Sequence, residues 1–258
     1  MFVEIDGLRT NVERAGDGPP VVLLHGWGSS ARALASVTRA LATAHSVLAL
    51  DLPGFGLSLR PRETWGIDEY AEFVRHTLAR FGIERADFVG HSRGGAISIV
   101  LAAKTPQLVN RLVLAGSAGI RPPRTLRLRL RGLTARSGRR ILGHRLAGSA
   151  GARLLAALYD RLGMADYRDA GPMRAIFVRL VNQDLSPLLP AIQAPTLLIW
   201  GAHDQETPLW MGRQMARAIP RSELITLEGA GHFCFLDEPR AFDQAMTRFL
   251  AGAALPVS

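Results

Sequence analysis

Apolar and polar positions along this chain alternate between two periods. The short apolar run Val21–Leu24 reads as a strand buried on both faces, and Ser46–Leu50, Arg85–Gly90, Leu112–Leu114, Thr196–Trp200 and Glu223–Leu227 read as further strands. Between them the apolar residues recur at helical spacing: Ala31–Leu41, Asp68–Phe81, Gly94–Lys104, Trp210–Ile219 and Arg240–Leu250. In Asp68–Phe81 the apolar residues at helical spacing are Tyr70, Phe73, Val74, Leu78 and Phe81, with Asp68 as the expected N-cap. Phe2–Ile5 and Leu8–Glu13 alternate around Gly7 and predict an edge hairpin. Strands spaced by helices predict a mostly parallel sheet with helices on both faces.

The alternation breaks from about Ile120 to Pro190. There the chain offers only helical stretches, such as Leu126–Leu133, Arg145–Leu162 and Met173–Val181. The expected organisation is therefore a core of residues 1–119 and 191–258, with 120–190 inserted as a helical cap. The net charge of +9 belongs to that insertion. Arg121–Arg153 holds ten arginines and no acid, so the remainder sums to −1. Thirty arginines accompany a single lysine, Lys104, so the run reads first as a solvated face in an arginine-preferring chain. A second reading makes it a lid resting on anionic lipid. No recognition motif or aromatic interleaving accompanies the charge, which argues against nucleic acid. No apolar stretch is long enough for a spanning helix, and the amino terminus lacks a signal-peptide layout. With one cysteine, Cys234, no intrachain disulfide forms. A cytoplasmic protein is expected. Oligomeric state is not legible.

Ligands of an open parallel sheet collect outside the carboxyl ends of its strands. Four loops there carry chemistry: His25–Gly28, Ser92, Asp204 and His232. Ser92 sits in Gly90-His91-Ser92-Arg93-Gly94, between a strand and a helix, where a tight turn holds its hydroxyl proud of the sheet. A serine hydroxyl attacks only when a base takes its proton, and that base needs a fixed tautomer. His232 is the candidate base and Asp204 its orienting acid, in the chain order serine, acid, histidine. The backbone N–H groups of Trp27 and Arg93 are the candidate oxyanion donors.

The segments "LLHGWG", "DLPGFGLS", "VGHSRGG", "LLIWGAHDQETP" and "EGAGHF" resemble the α/β-hydrolase family, in its single-domain branch with a helical cap. The resemblance spans nearly the whole chain and is weakest in the cap. It implies an eight-stranded, mostly parallel sheet, an acyl-enzyme route, and bracing roles for His25 and Asp51. Dehalogenases and epoxide hydrolases of that family carry an aspartate where Ser92 stands, so the chain departs from both.

The expected activity is carboxylic ester hydrolysis by a serine esterase, without metal or organic cofactor, on a small apolar substrate. Leu154, Leu158, Phe177 and Trp210 are the expected pocket residues. One alternative is carbon–carbon bond hydrolysis of anionic vinylogous diketones from ring cleavage, which need a positive residue such as Arg93. Another is a non-catalytic small-molecule binder on the same scaffold. Arg93 is otherwise expected to pair with Asp184 or Glu206. Glu206 replaces Asp204 as the acid only where Asp204 points away. His91 and His203 read as structural, and Cys234 as wall or core.

Overall fold

The computed structural model describes residues 1–121 and 171–252. The chain divides into two compact units, one of Met1–Ile120 with Asn182–Ser258 and one of Arg121–Val181. By this division the core unit resumes at Asn182. The reason is local: Leu185 N–H donates to the Gly119 carbonyl, Gln183 accepts from Ile67 N–H, and Leu185, Leu189 and Ile192 are buried.

Eight strands form one sheet: β1 (Phe2–Ile5), β2 (Leu8–Ala15), β3 (Pro20–Leu24), β4 (Ser46–Leu50), β5 (Ala86–His91), β6 (Val109–Ala115), β7 (Thr196–Gly201) and β8 (Ser222–Leu227). Their order is β1-β2-β4-β3-β5-β6-β7-β8. The β1–β2 and β2–β4 pairings are antiparallel and the others parallel. The expected sheet is present, and its central strands are the continuous apolar runs.

Alternate residues divide the two faces. Val21, Leu23, Val47, Ala49, Val89, Val113, Leu197 and Ile199 share one core. On that side it meets α1 (Ala35–Leu41), α6 (Cys234–Asp237) and α7 (Pro239–Leu250) through Val37, Leu41, Phe235, Phe242, Met246 and Leu250. The opposite face is covered by α2 (Ile67–Arg80), α3 (Arg93–Lys104) and α5 (Leu209–Ala218). The second unit ends within α4 (Arg174–Asn182), which follows a single 3-10 turn and buries Ile176 and Leu180. Among the described residues no helix is long and apolar enough to cross a membrane.

Two local expectations change. The cap of α2 is Gly66, whose N–H donates to the Glu69 carboxylate at 2.8 Å. Asp68 lies inside the first turn and takes the Lys104 ammonium at 2.8 Å. The expected helix Ala31–Leu41 begins as a 3-10 turn, Ala31–Leu34, because Ala31 N–H is drawn to the Asp51 carboxylate at 2.7 Å. Leu126–Leu133 and Arg145–Leu162 lie outside the described residues.

Asp87, buried at the start of β5, accepts a 2.7 Å hydrogen bond from the Asn110 side chain. Burial raises its pKa above the ordinary value, against the opposing effects of Asn110 and Arg111. A raised folded-state pKa favours folding below the unfolded value and costs stability once pH has risen through the folded one. Asp87→Asn keeps the acceptor oxygen and removes the charge. It is expected to raise Tm at pH 8, at about 2–4 °C per kcal/mol recovered, and to give no gain near pH 4. Thermal melts at the two pH values check this, and an equal change at both would contradict it.

Candidate functional site

The site starts at the junction of β5 and α3. Ser92 has φ 50° and ψ −112°, a left-handed backbone that L residues seldom adopt. The turn is held by the end of β6 and the loop after it, because Ser92 N–H donates to Ala115 O at 3.0 Å and Ala118 N–H donates to Ser92 O at 3.0 Å. Only glycine fits at position 94, since a Cβ there would lie inside contact distance of the Leu24 backbone carbonyl. That close packing lets α3 start directly beneath the serine.

His232 and Asp204 come together from the loops after β8 and β7. The Nδ1–H of His232 donates to Asp204 Oδ2 at 2.9 Å, and both side chains are nearly inaccessible to solvent. Asp204 Oδ1 accepts from the N–H groups of Glu206 at 2.9 Å and Thr207 at 2.8 Å. Burial alone would raise the Asp204 pKa. The His232 hydrogen bond and charge, together with the Thr207 donors, outweigh it and hold the carboxyl below its ordinary value.

Glu206 does not share that position. Its Oε2 lies 3.3 Å from the other ring nitrogen, Nε2, and its side chain is 58% exposed. Asp204 points at the histidine, so Glu206 is not the orienting acid. For Nε2 to accept a proton from Ser92, the Glu206 carboxylate must turn aside.

His91, next to Ser92, is buried and donates from Nε2 to the His232 carbonyl at 3.0 Å. Its ring lies 4.7 Å from that of His232 and 5.0 Å from that of Phe235. Burial pushes its pKa down to about 3, aided by the neighbouring His232, so it is neutral at ordinary pH. It fastens the histidine loop to the serine turn. His203 is exposed, and its backbone N–H donates to Ala230 O. Cys234 is fully buried, and burial lifts its thiol to about 12, which leaves it inert core.

The loop after β3 lies against the serine turn. A Cβ on Gly26 would stand 3.0 Å from His91 Nδ1 and 3.1 Å from Ser92 Cβ. His25 pins this bend. Its Nδ1–H donates to Gly26 O at 2.7 Å and its Nε2 accepts from Leu52 N–H at 3.0 Å. Burial lowers its pKa to about 4, so the acceptor nitrogen stays unprotonated at neutral pH. Asp51 takes Ala31 N–H at 2.7 Å, Leu57 N–H at 2.9 Å and the Asn11 amide at 3.0 Å. Both residues are committed to bracing. Trp27 packs edge-on against Phe55 at 4.8 Å. Arg93 is the first residue of α3, half-buried, and its charge acts on the Tyr70 hydroxyl. Asp184, one of its expected partners, accepts from Ser186 N–H and Oγ.

Leu154 and Leu158 lie outside the described residues, as does the arginine run beyond Arg121. Phe177 is half-buried on α4 in the second unit, and Trp210 stands 39% exposed in the first turn of α5. Sequence reasoning missed Thr207, whose hydroxyl lies 2.8 Å from Asp204 Oδ2 and 2.9 Å from Gly116 O. The only local signal was the Asp-x-x-Thr spacing, which reads as an ordinary side-chain-capped turn.

Comparison with known proteins agrees with this geometry. The chain is 31% identical over 274 residues to the 2-hydroxymuconate semialdehyde hydrolase of Pseudomonas sp. (strain CF600), covering 96% of this chain and 92% of that one. It is 33% identical over 258 residues to the pimeloyl-[acyl-carrier protein] methyl ester esterase of Chromobacterium violaceum, covering 93% and 97%. Among solved structures it is similar to a bacterial membrane phospholipase A, with a TM-score of 0.78 and 28% identity, covering 98% of this chain and 85% of that one. The sequence profile described as alpha/beta hydrolase fold matches residues 19–239. With that match and the buried histidine–aspartate pair at the sheet edge, the chain belongs to the α/β-hydrolase family as a hydrolytic enzyme.

Proposed function

We propose that the protein is a serine hydrolase that cleaves a carbon–carbon bond in an anionic vinylogous diketone of the kind ring cleavage produces. Ser92 is the nucleophile, His232 the base and acid, and Asp204 the group that orients His232. The Trp27 and Arg93 N–H groups receive the oxyanion. The observation that carries the choice of substrate is the position of Arg93, one residue after the serine and first in a twelve-residue helix. Its charge and the helix N-terminus both favour a negative group there. An ester needs no such partner. The similarity to 2-hydroxymuconate semialdehyde hydrolase supports the same reading.

The chemistry divides into steps these residues can perform. His232 Nε2 first takes the 2-hydroxyl proton of the dienoate and returns it to the carbon beside the carbonyl to be cleaved, which yields the keto tautomer. Ser92 Oγ then adds to that carbonyl as its own proton passes to Nε2. Collapse of the tetrahedral oxyanion breaks the carbon–carbon bond, the electron pair is delocalised into the 2-oxo acid end, and the resulting enolate oxygen takes the proton from His232, which is neutral again. Water, deprotonated by His232, releases the acid from Ser92. The net reaction consumes one water and gives a carboxylic acid and a hydroxydienoate.

Carboxylic ester hydrolysis by the same residues is the second reading, favoured by the 33% identity to the methyl ester esterase. Steady-state assays with 2-hydroxymuconate semialdehyde beside p-nitrophenyl esters separate the two. The expected result is kcat/KM about 10²-fold higher for the dienoate, equivalent to one well-placed charge interaction. Arg93→Met should raise KM for the dienoate more than for the neutral ester. The reverse preference would make the protein an esterase.

A further inference from the structure

Thr207 is 6% exposed, and its single hydroxyl stands among three polar atoms. They are Asp204 Oδ2 at 2.8 Å, Gly116 O at 2.9 Å and His232 Nδ1 at 3.3 Å. One proton serves the two acceptors in turn, while the oxygen lone pairs face the histidine N–H. Gly116 belongs to the backbone just past β6, and its own N–H donates to Ile199 O at 3.0 Å. Its φ is +48°, and a Cβ there would stand 3.1 Å from Asp204 Oδ2 and 3.4 Å from His232 Nδ1. The sheet edge therefore presses directly on the acid and the base. Thr207 is fixed from behind as well, because its carbonyl accepts the Trp200 indole N–H at 2.6 Å.

We infer that Thr207 is a positioning residue whose hydroxyl ties the Asp204 carboxylate to the sheet backbone at Gly116 and so sets the plane of the His232 ring. The two oxygens of Asp204 are held differently. Oδ1 has two backbone donors from its own turn, so it stays in place in any variant that keeps that turn. Oδ2, the oxygen that meets His232, has among the described residues only side-chain partners, Thr207 and the histidine itself. Without the hydroxyl the carboxylate pivots about Oδ1. The histidine then follows it, and its Nε2 leaves the line to the serine.

The inference rests on the serine-hydrolase reading, so its test carries a readout that does not depend on turnover. Thr207→Val keeps the shape and removes the hydroxyl, and Thr207→Ser keeps the hydroxyl and removes the methyl. With p-nitrophenyl acetate as the probe, Thr207→Val is expected to lower kcat by about 10²-fold, as a misplaced catalytic group does, while KM changes by less than about twofold. Thr207→Ser is expected to restore most of the loss. In the low-field proton NMR spectrum the His232 Nδ1–H resonance should persist in wild type and Thr207→Ser, and shift upfield and broaden in Thr207→Val. An unchanged resonance and kcat in Thr207→Val would overturn the inference. So would an equal loss in both variants, which marks a structural role. A wild-type protein without esterase turnover counts against the hydrolase reading alone, and the NMR result then decides on Thr207.

Discussion

Ser92→Ala and His232→Ala are each expected to lower turnover by roughly 10^4-fold or more. The serine change removes the atom that attacks. The histidine change removes the ring that Asp204 orients through Nδ1, and with it the base that the mechanism assigns to the hydroxyl proton. Because the two residues perform one step, the double variant is expected to lose little more than either single one. A double variant that multiplied the two losses would mean that they act in separate steps. Folding should survive both changes. The Ser92 backbone is held through its N–H and C=O, and neither bond uses the hydroxyl. Equal Tm within a few degrees and kcat/KM for all three variants check the prediction.

Asp204→Asn should cost nearly as much, about 10^3- to 10^4-fold in kcat, for a different reason. The Glu206 and Thr207 N–H groups demand an acceptor at the Oδ1 position, so the new amide must place its oxygen there. Its NH2 group then faces His232 Nδ1 and the Thr207 hydroxyl. A donor against Nδ1 forces the ring proton onto Nε2, the nitrogen that must accept from Ser92. The variant would keep its shape and hold the wrong tautomer, with Nε2–H turned toward Glu206. The expected signature is a fall in kcat with KM nearly unchanged. A fall in KM affinity alone would place Asp204 in substrate binding instead.

The sheet was legible because its central strands are buried on both faces, and continuous apolar runs such as "TLLIW" have no other stable use between helices. Helix starts were less so. Asp68 looked like a cap from its side chain, whereas the actual cap, Gly66, owes its place to Glu69 reaching back and to Gln183 from a distant segment. The 3-10 start at Ala31 depends on Asp51 across a loop, which no local pattern encodes. At the candidate site, what could be read was position, because Ser92, Asp204 and His232 each follow a strand of the parallel sheet. Thr207 was not legible. Its hydroxyl matters through Gly116, ninety-one positions earlier in the chain. Glu206 was legible as an acid but not as the group on Nε2, since that depends on which side of the ring its loop passes.

The central claim is that the Ser92 hydroxyl is a nucleophile activated by His232. A fluorophosphonate tests it without knowledge of the substrate, because the serine oxygen displaces fluoride from phosphorus and stays bonded to it. Intact-protein mass spectrometry over time should show one stoichiometric adduct on wild type, mapped to the peptide that carries Ser92. Ser92→Ala should show none, and His232→Ala should label slower by orders of magnitude. Labelling of Ser92→Ala at the wild-type rate, or an adduct on another residue, would contradict the account.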